Sequence, residues 1–586
     1  MNIQMIKTPP SMPPSFWQRR AVDVVLLAVI LNCLWLWRNG YGNLYYAATV
    51  KSMLTSWHTF FFVSFDPAGF VTVDKPPLGF WLQAASAKLF GFHPLALLLP
   101  QAIAGTLSVA LLYRLVCQAY GALAGVLAAL ILAITPISVA TNRNNTMDSL
   151  LVLVVLLAAQ AISDAAETGR LRSLLLCATF VGIGCNIKGL QAYLVLPAFV
   201  SLYLLAAPLQ RRKRCAHLAL AAVVLFGVSL SWAAAVDLTP SSQRPFVGSS
   251  SDNTEIDLML RYNGLSRLFP QSDLSVLGSG QIGFGMGPAG PLRLLDRQLG
   301  GQIGWLLLPV ALCLVVGGYR TYSLPRSFDR RHRCLMLWGT WFMTQGVIFS
   351  VGNFLHPYYL VILAPAIAAL GGMGITLLWD AYVQASRQGW LLPLVIAGTA
   401  AVQVCLLANL PLWGWLLAPV VASLCTIAAG MLVGARLTTK LRGYAGVAVT
   451  LGFGALLVAP LAWAAIPVWH HGNNDLPIAG PDLLRSPDAF DQLDPASGII
   501  PSLARYLADN RRGERYLVAT PYAGVAAPLM LRAGQPVMAY GGYLGRDHIV
   551  TTARLTKLIA GRTVRFFLTS AELLWNLSAA ERSGGD

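Results

Sequence analysis

Long apolar runs recur along this chain, and each is close to the roughly 20 residues a helix needs to cross a bilayer. They fall at residues 21–37, 95–117, 122–140, 149–166, 173–187, 190–207, 216–235, 303–318, 335–351, 358–379, 390–409, 412–434 and 444–468. In hydrocarbon a backbone N–H or C=O must find its partner inside the protein, so runs of this length predict helices. The expected fold is an all-α polytopic membrane protein, with about 13 transmembrane helices within residues 1–468, followed by a small C-terminal α/β domain over residues 469–586. With 56% hydrophobic and 11% charged residues, the chain is too apolar for a set of soluble domains, and collagen, coiled-coil and disordered architectures are excluded.

A net charge of +17 would suggest nucleic acid in a soluble protein. Here no basic stretch interleaves with aromatics on a soluble face, so a nucleic-acid partner is set aside. The cations instead fall in alternate loops: Arg19 and Arg20, Arg170 and Arg172, Arg211 to Arg214, Arg320 to Arg333, and Arg436 to Arg442. By the positive-inside rule these loops and the N-terminus are cytoplasmic, and an odd number of crossings puts the C-terminal domain outside. The run after Arg20 ends in Trp35, Trp37 and Arg38 without an A-x-A site, so it reads as a retained anchor. Nine cysteines lie in or beside apolar segments with no C-x-x-C pair, which argues against disulfides and a cysteine zinc site.

Two outer segments, 38–94 and 236–302, are too long for simple turns, and long irregular loops are usually functional or disordered. The C-terminal region alternates helix-like stretches (502–509, 524–532, 551–559) with strand-like ones (516–519, 537–539, 564–568), a pattern that favours parallel strands. Its turn Gly541-Gly542-Tyr543-Leu544-Gly545 lacks the G-x-G-x-x-G spacing of a dinucleotide site and reads as a tight turn or a sugar-contacting loop.

Polar clusters collect on the outer side. In the first outer loop Asp66 precedes Asp74-Lys75-Pro76-Pro77-Leu78; the prolines fix the backbone, and Lys75 can meet a lipid phosphate or simply snorkel in an ion pair with Asp74. In Thr141-Asn142-Arg143-Asn144-Asn145-Thr146-Met147-Asp148, Arg143 can clamp phosphate bidentately, and Asp148 suits a helix cap or a functional carboxylate. His356-Pro357-Tyr358-Tyr359 offers hydrogen-bonding groups at headgroup level, or part of an aromatic belt. Lys188 is an outer anchor or a site cation, and Arg261 and Arg267 add cations, or solvation alone, to the large loop.

Together these segments resemble the GT-C glycosyltransferases of the protein O-mannosyltransferase and aminoarabinose transferase (ArnT-like) superfamily, glycosyltransferase family 39-like, most closely its bacterial YkcA/YkcB-like branch. The resemblance is carried by Asn43-Leu44-Tyr45-Tyr46-Ala47-Ala48, Ser64-Phe65-Asp66-Pro67, Asp74-Lys75-Pro76-Pro77-Leu78, Asn142 to Asp148, Tyr262-Asn263-Gly264-Leu265, His356-Pro357-Tyr358-Tyr359, Leu476-Pro477-Ile478-Ala479-Gly480-Pro481 and Gly541-Gly542-Tyr543. It implies a multi-pass enzyme of the bacterial inner membrane that uses a polyprenyl-phosphate sugar donor on the side away from the cytoplasm. Lys75 looks like the family's phosphate-contacting lysine, Asp148 like the second-loop acid, and Tyr358 or Tyr359 like the phosphate-proximal tyrosine. Many members carry an Asp-Glu pair just before the Tyr-Tyr-Ala stretch, where this chain has Gly42 and Asn43.

The expected reaction is therefore transfer of a sugar to an acceptor hydroxyl of a glycan, a lipid such as lipid A, or a protein. Lys75 is the first cation for the leaving phosphate, with Arg143, Arg261 and Arg267 assisting. Asp74, Asp148 and Asp66 are the candidate bases. Asn43, Tyr45, His356 and Lys188 complete the polar site. A divalent metal is admitted as an assistant, although no H-x-x-x-H or clustered acid pattern demands one. A transporter or lipid-linked sugar flippase is the rival reading, and the near absence of charge at the helix centres argues against it.

Overall fold

In the computed structural model the described residues are 13–265, 287–323, 329–352, 356–408, 410–470, 476–485 and 500–568. Arg267 and most of the glycine-rich stretch after it lie outside them, as do residues 353–355 and His471. The described chain is overwhelmingly helical. By internal packing it gathers into two units. One unit gathers Met1–Gly40, Leu98–Ser229 and Ser266–Ser486; the other gathers Tyr41–Leu97, Leu230–Leu265 and the C-terminal stretch from Pro487.

By length and composition, eleven helices among the described residues can cross a membrane, or twelve if one bent pair counts as a span. Two of the thirteen expected runs, 173–187 and 190–207, are continuous in this count. There, helices Leu171–Lys188 and Leu196–Ala206 are joined by the 3-10 helix Gly189–Val195 into one apolar run of 36 residues. The run at 122–140 breaks instead into Ala122–Ala133 and Pro136–Asn142, bent by 61°. Pro136 disfavours helical backbone at the residue before it, and Thr135 sits extended at φ −66°, ψ 119°.

In the helical unit, Ala364–Val383 is the most enclosed span and packs on Ala122–Ala133. Close approach depends on Gly372, where an added Cβ would lie 2.6 Å from the Ala124 carbonyl. Small residues at such contacts are how helices associate where lipid removes the hydrophobic drive. Asp148–Thr168 packs on Leu171–Lys188, and Pro411–Leu437 lies between Leu391–Ala408 and Ala445–Trp469.

The second unit is built on the loop before helix Leu78–Phe90. Ser64 and Thr72 form an antiparallel bridge, and Val71 pairs in parallel with Phe246, so residues 63–73 and 246–248 share one small hydrogen-bonded layer. The C-terminal part contributes helices Ile500–Asp509, Ala523–Ala533 and Thr552–Ala560. Its parallel strands are short, Ala519–Thr520 beside Met538–Ala539, and Ala519 also bridges in parallel to Phe567. Helix Ala523–Ala533 packs on helix Leu44–Met53, and the Lys51 ammonium donates to the Leu531 carbonyl at 2.7 Å.

Candidate active site

Two lysine–carboxylate pairs are withdrawn from solvent, one in each unit. In the second unit the Lys75 ammonium donates to Asp74 Oδ2 at 2.5 Å, to the Asp74 carbonyl at 3.2 Å and to Asn263 Oδ1 at 3.3 Å. Asn263 Nδ2 returns a bond to the Asp74 carbonyl at 2.9 Å, and the ammonium lies 5.6 Å from the Tyr262 ring centre. Asn263 and Tyr262 come from Leu258–Leu265, a π-helix, a rare wide turn that recurs at functional sites. Pro76 and Pro77 end the loop and start helix Leu78–Phe90, so the Asp74–Lys75 backbone is fixed on both sides.

Tyr45 supports this pair from helix Leu44–Met53. Its hydroxyl accepts from the Asp74 N–H at 3.2 Å, and its ring stacks on Tyr543 of the C-terminal region at 4.6 Å. Burial raises the Tyr45 hydroxyl well above the ordinary tyrosine range, and the Asp74 charge adds to it. Asn43 caps the same helix, accepting from the Tyr46 N–H at 3.0 Å, which explains an amide at this position. Asp66 lies in the same loop, fully buried, and accepts from the N–H groups of Ala68, Phe70 and Val71 at 2.9, 2.9 and 3.3 Å. Its carboxylate organises the loop. Burial outweighs those bonds and pushes the group up to about 6.

Arg261 is engaged locally, with Nε donating to both oxygens of Asp257 at 3.0 and 3.1 Å and Nη2 to the Ser249 carbonyl at 3.2 Å. Two further carboxyls stand nearby that sequence reading passed over. Glu255 is fully buried, and among the described residues neither of its oxygens has a hydrogen-bond partner. Burial drives its carboxyl well above the usual range, and the Asp237 and Asp74 charges reinforce that against Arg244. Asp547 accepts from the Ser249 N–H at 2.7 Å through Oδ2.

In the helical unit the Lys188 ammonium donates to Asp148 Oδ2 at 2.6 Å, with both side chains almost wholly buried. Asp148 opens helix Asp148–Thr168 and Lys188 closes helix Leu171–Lys188. Over the ammonium stand the rings of Tyr358 and Tyr359, at 4.8 and 5.1 Å, with His356 stacked on Tyr358. These tyrosines are buried residues of the 3-10 helix Pro357–Ile362. Four of the sequence candidates thus share one cluster around Lys188.

Arg143 takes a different role from the phosphate clamp that the sequence suggested. It is 1% exposed and donates to the main-chain carbonyls of Pro467, Leu31, Leu34 and Val468 and to Asn39 Oδ1. A guanidinium whose donors end on helix-terminal carbonyls is a staple between segments. The neighbouring amide Asn142 bonds Asn32 at 3.2 Å. Among the described residues no group of three or more His, Cys, Asp or Glu converges as metal ligands.

Residues 74–232 match the family described as dolichyl-phosphate-mannose-protein mannosyltransferase, and residues 503–582 match the C-terminal family of YkcB-like proteins. YycA of Bacillus subtilis (strain 168), named as a mannosyltransferase, is 34% identical over 93% of this chain and 90% of its own. YkcB of the same organism, named likewise, is 34% identical over 94% of this chain and 89% of its own. This chain belongs to the YkcB-like family of GT-C glycosyltransferases. The YkcB-like chain also shares its fold with ArnT from Cupriavidus metallidurans, solved bound to undecaprenyl phosphate, at TM-score 0.55 and 17% identity over 95% of this chain and 90% of that one. Oligosaccharyltransferase AglB from Archaeoglobus fulgidus gives TM-score 0.50 at 12% identity, over 89% of this chain and 64% of that one. In this YkcB-like chain the Asp74–Lys75 loop and the Asp148–Lys188 cluster hold the two buried lysine–carboxylate pairs.

Proposed function

We propose that this membrane glycosyltransferase moves one sugar from a polyprenyl-phosphate carrier to an acceptor hydroxyl at the periplasmic face of the bacterial inner membrane. A cell-envelope glycan or lipid A is the favoured acceptor class. The observation that carries the reading is the Lys75 ammonium, withdrawn from water yet fixed by Asp74 and Asn263. When the anomeric C–O bond breaks, negative charge collects on the departing polyprenyl phosphate, and a cation already in place stabilises it without reorganising. A lysine suits this task because its ammonium meets a phosphate as a point charge from several directions. Undecaprenyl phosphate in the ArnT structure and dolichol phosphate in the AglB structure support a polyprenyl carrier.

In the helical unit, Asp148, Lys188, Tyr358 and Tyr359 form a second polar centre. Ionisable groups inside a membrane segment are costly enough that function is the default explanation for them. The large segments 38–94 and 236–302 are assigned to the periplasmic side because the basic loops claim the cytoplasmic one.

The test is release of undecaprenyl phosphate from undecaprenyl-phosphate mannose in membranes carrying the full-length protein. Lys75→Ala should lower that rate about tenfold or more while the protein inserts normally. Wild-type turnover in Lys75→Ala overturns the assignment.

A further inference from the structure

The transfer proposed above needs a group to take the acceptor's proton, and the three carboxylates expected for that task are all buried and each already holds a partner through at least one oxygen. Asp66 serves the N–H groups of its own loop, Asp74 holds Lys75, and Asp148 holds Lys188. The position before Tyr45-Tyr46-Ala47 carries no acid, since Gly42 and Asn43 stand there and Asn43 is spent on a helix cap. Glu255 is 0% exposed and so cannot touch an acceptor.

Asp547 differs from all of these. It is only partly buried, and Oδ2 is anchored on the Ser249 N–H while, among the described residues, Oδ1 makes no hydrogen bond. The anchor belongs to the same segment as the Lys75 partners, because the Ser249 carbonyl accepts from Arg261, which neighbours Tyr262 and Asn263. The loop that presents Asp547 is shaped for it. The Asp547 N–H donates to the Gly541 carbonyl at 3.0 Å, and Gly542 has φ +70°. A Cβ on Gly542 would fall 1.9 Å from Asp547 Oδ2, so glycine alone leaves the carboxylate its place. The next residue, Tyr543, stacks on Tyr45, whose hydroxyl holds the Asp74 N–H. One turn therefore both carries a half-open carboxylate and braces the lysine-bearing loop.

Resting on that reading of the reaction, we propose that Asp547, from the C-terminal region, is the general base of the glycosyl transfer. The acceptor oxygen bonds to the anomeric carbon as the bond from that carbon to the phosphate oxygen breaks. The departing polyprenyl phosphate keeps the electron pair, and the acceptor's proton passes to Asp547 Oδ1 and then to water. The groups acting on Asp547 suit a base near neutrality. Burial raises its carboxyl, the Ser249 N–H lowers it, Asp74 raises it, and Arg261 and His548 lower it, leaving it at about 6. A base works best when its pKa lies near the working pH.

The experiment uses the full chain in membranes, with undecaprenyl-phosphate mannose as donor, native envelope as acceptor, and undecaprenyl phosphate as binding probe. Asp547→Asn should cut transfer about 100-fold, leave carrier binding within about twofold, and abolish the acid limb near pH 6 from the residual rate. Gly542→Ala, which pushes the carboxylate aside, should lower kcat by a larger factor than it raises the donor KM. The inference fails if Asp547→Asn stays within about tenfold of wild type, keeps the acid limb, or loses carrier binding along with turnover. Should Asp547→Asn fail to insert, the kcat of Gly542→Ala decides. Wild-type protein that releases no carrier would sink the proposed glycosyl transfer itself, an outcome distinct from an active wild type with an indifferent Asp547.

Discussion

Lys188 and Asp148 are each almost wholly buried and 2.6 Å apart, so neither charge can be deleted cheaply. Removing one partner of a buried pair leaves the other stranded, at a cost of about 3–5 kcal/mol, whereas replacing both with apolar groups of similar size often costs little. Lys188→Met alone should therefore lower the melting temperature in detergent, and Lys188→Met with Asp148→Leu should recover most of the loss. If the cluster is functional, neither variant will transfer sugar. Equal melting temperatures for all three proteins would dispose of the buried-pair account. At this scale the sequence was legible in kind but not in pairing. It identified Asp148, Lys188, Tyr358 and Tyr359 as polar groups in apolar company, yet it gave no sign that Lys188 reaches Asp148 across 40 positions. Arg143 was misjudged for the same reason: a guanidinium looks alike whether its donors end on phosphate or on the carbonyls of Leu31 and Pro467. Asp547 was passed over because a lone acid five residues beyond Gly541-Gly542 is unremarkable until Ser249 is found on it.

The loop of residues 63–75 owes its shape to one buried carboxylate. Asp66 gathers three N–H groups, and with Ser64 and Thr72 bridged it delivers Asp74 and Lys75 to the start of a proline-initiated helix. Because burial pushes Asp66 up to about 6 from an ordinary value of 3.8, the folded loop favours the protonated form. The stabilisation this supplies is complete below about pH 4 and disappears as pH rises through about 6, a swing of about 3 kcal/mol. Asp547, also raised to about 6, acts in the same direction. Thermal melts in detergent at pH 4.5 and 7 should show wild type losing more stability at the higher pH than Asp66→Asn does. A matching loss in both proteins would remove Asp66 from the explanation. Among the helices, the bend at Pro136 was readable from proline's steric effect on Thr135, but the apolar run around it masked the break. The Gly189 junction, a gap between two apolar runs in the sequence, is occupied by the 3-10 helix Gly189–Val195 and turns on a glycine at φ +64°.

Across the whole molecule, eleven or twelve apolar helices and membership in the YkcB-like family establish a multi-pass membrane glycosyltransferase. Orientation rests on the basic loops, and Cys215 offers a direct check because it is exposed beside Arg211 to Arg214. A membrane-impermeant maleimide should label it only after spheroplasts are opened, with Cys215→Ser as control; labelling of intact spheroplasts would reverse the orientation. The sequence by itself determined the solvent of this protein, its helical class, and the chemistry of its polar groups, because hydropathy and side-chain type are local properties that need no partner. Only the tertiary structure decided which cation meets which carboxylate, that residues 41–97 and 230–265 fold with the C-terminal stretch, and that a carboxylate at position 547 stands on the backbone of Ser249. Those pairings join residues as far as 480 positions apart, and at that separation chain connectivity places no constraint on which groups meet. Packing and the need to satisfy buried polar groups make the choice.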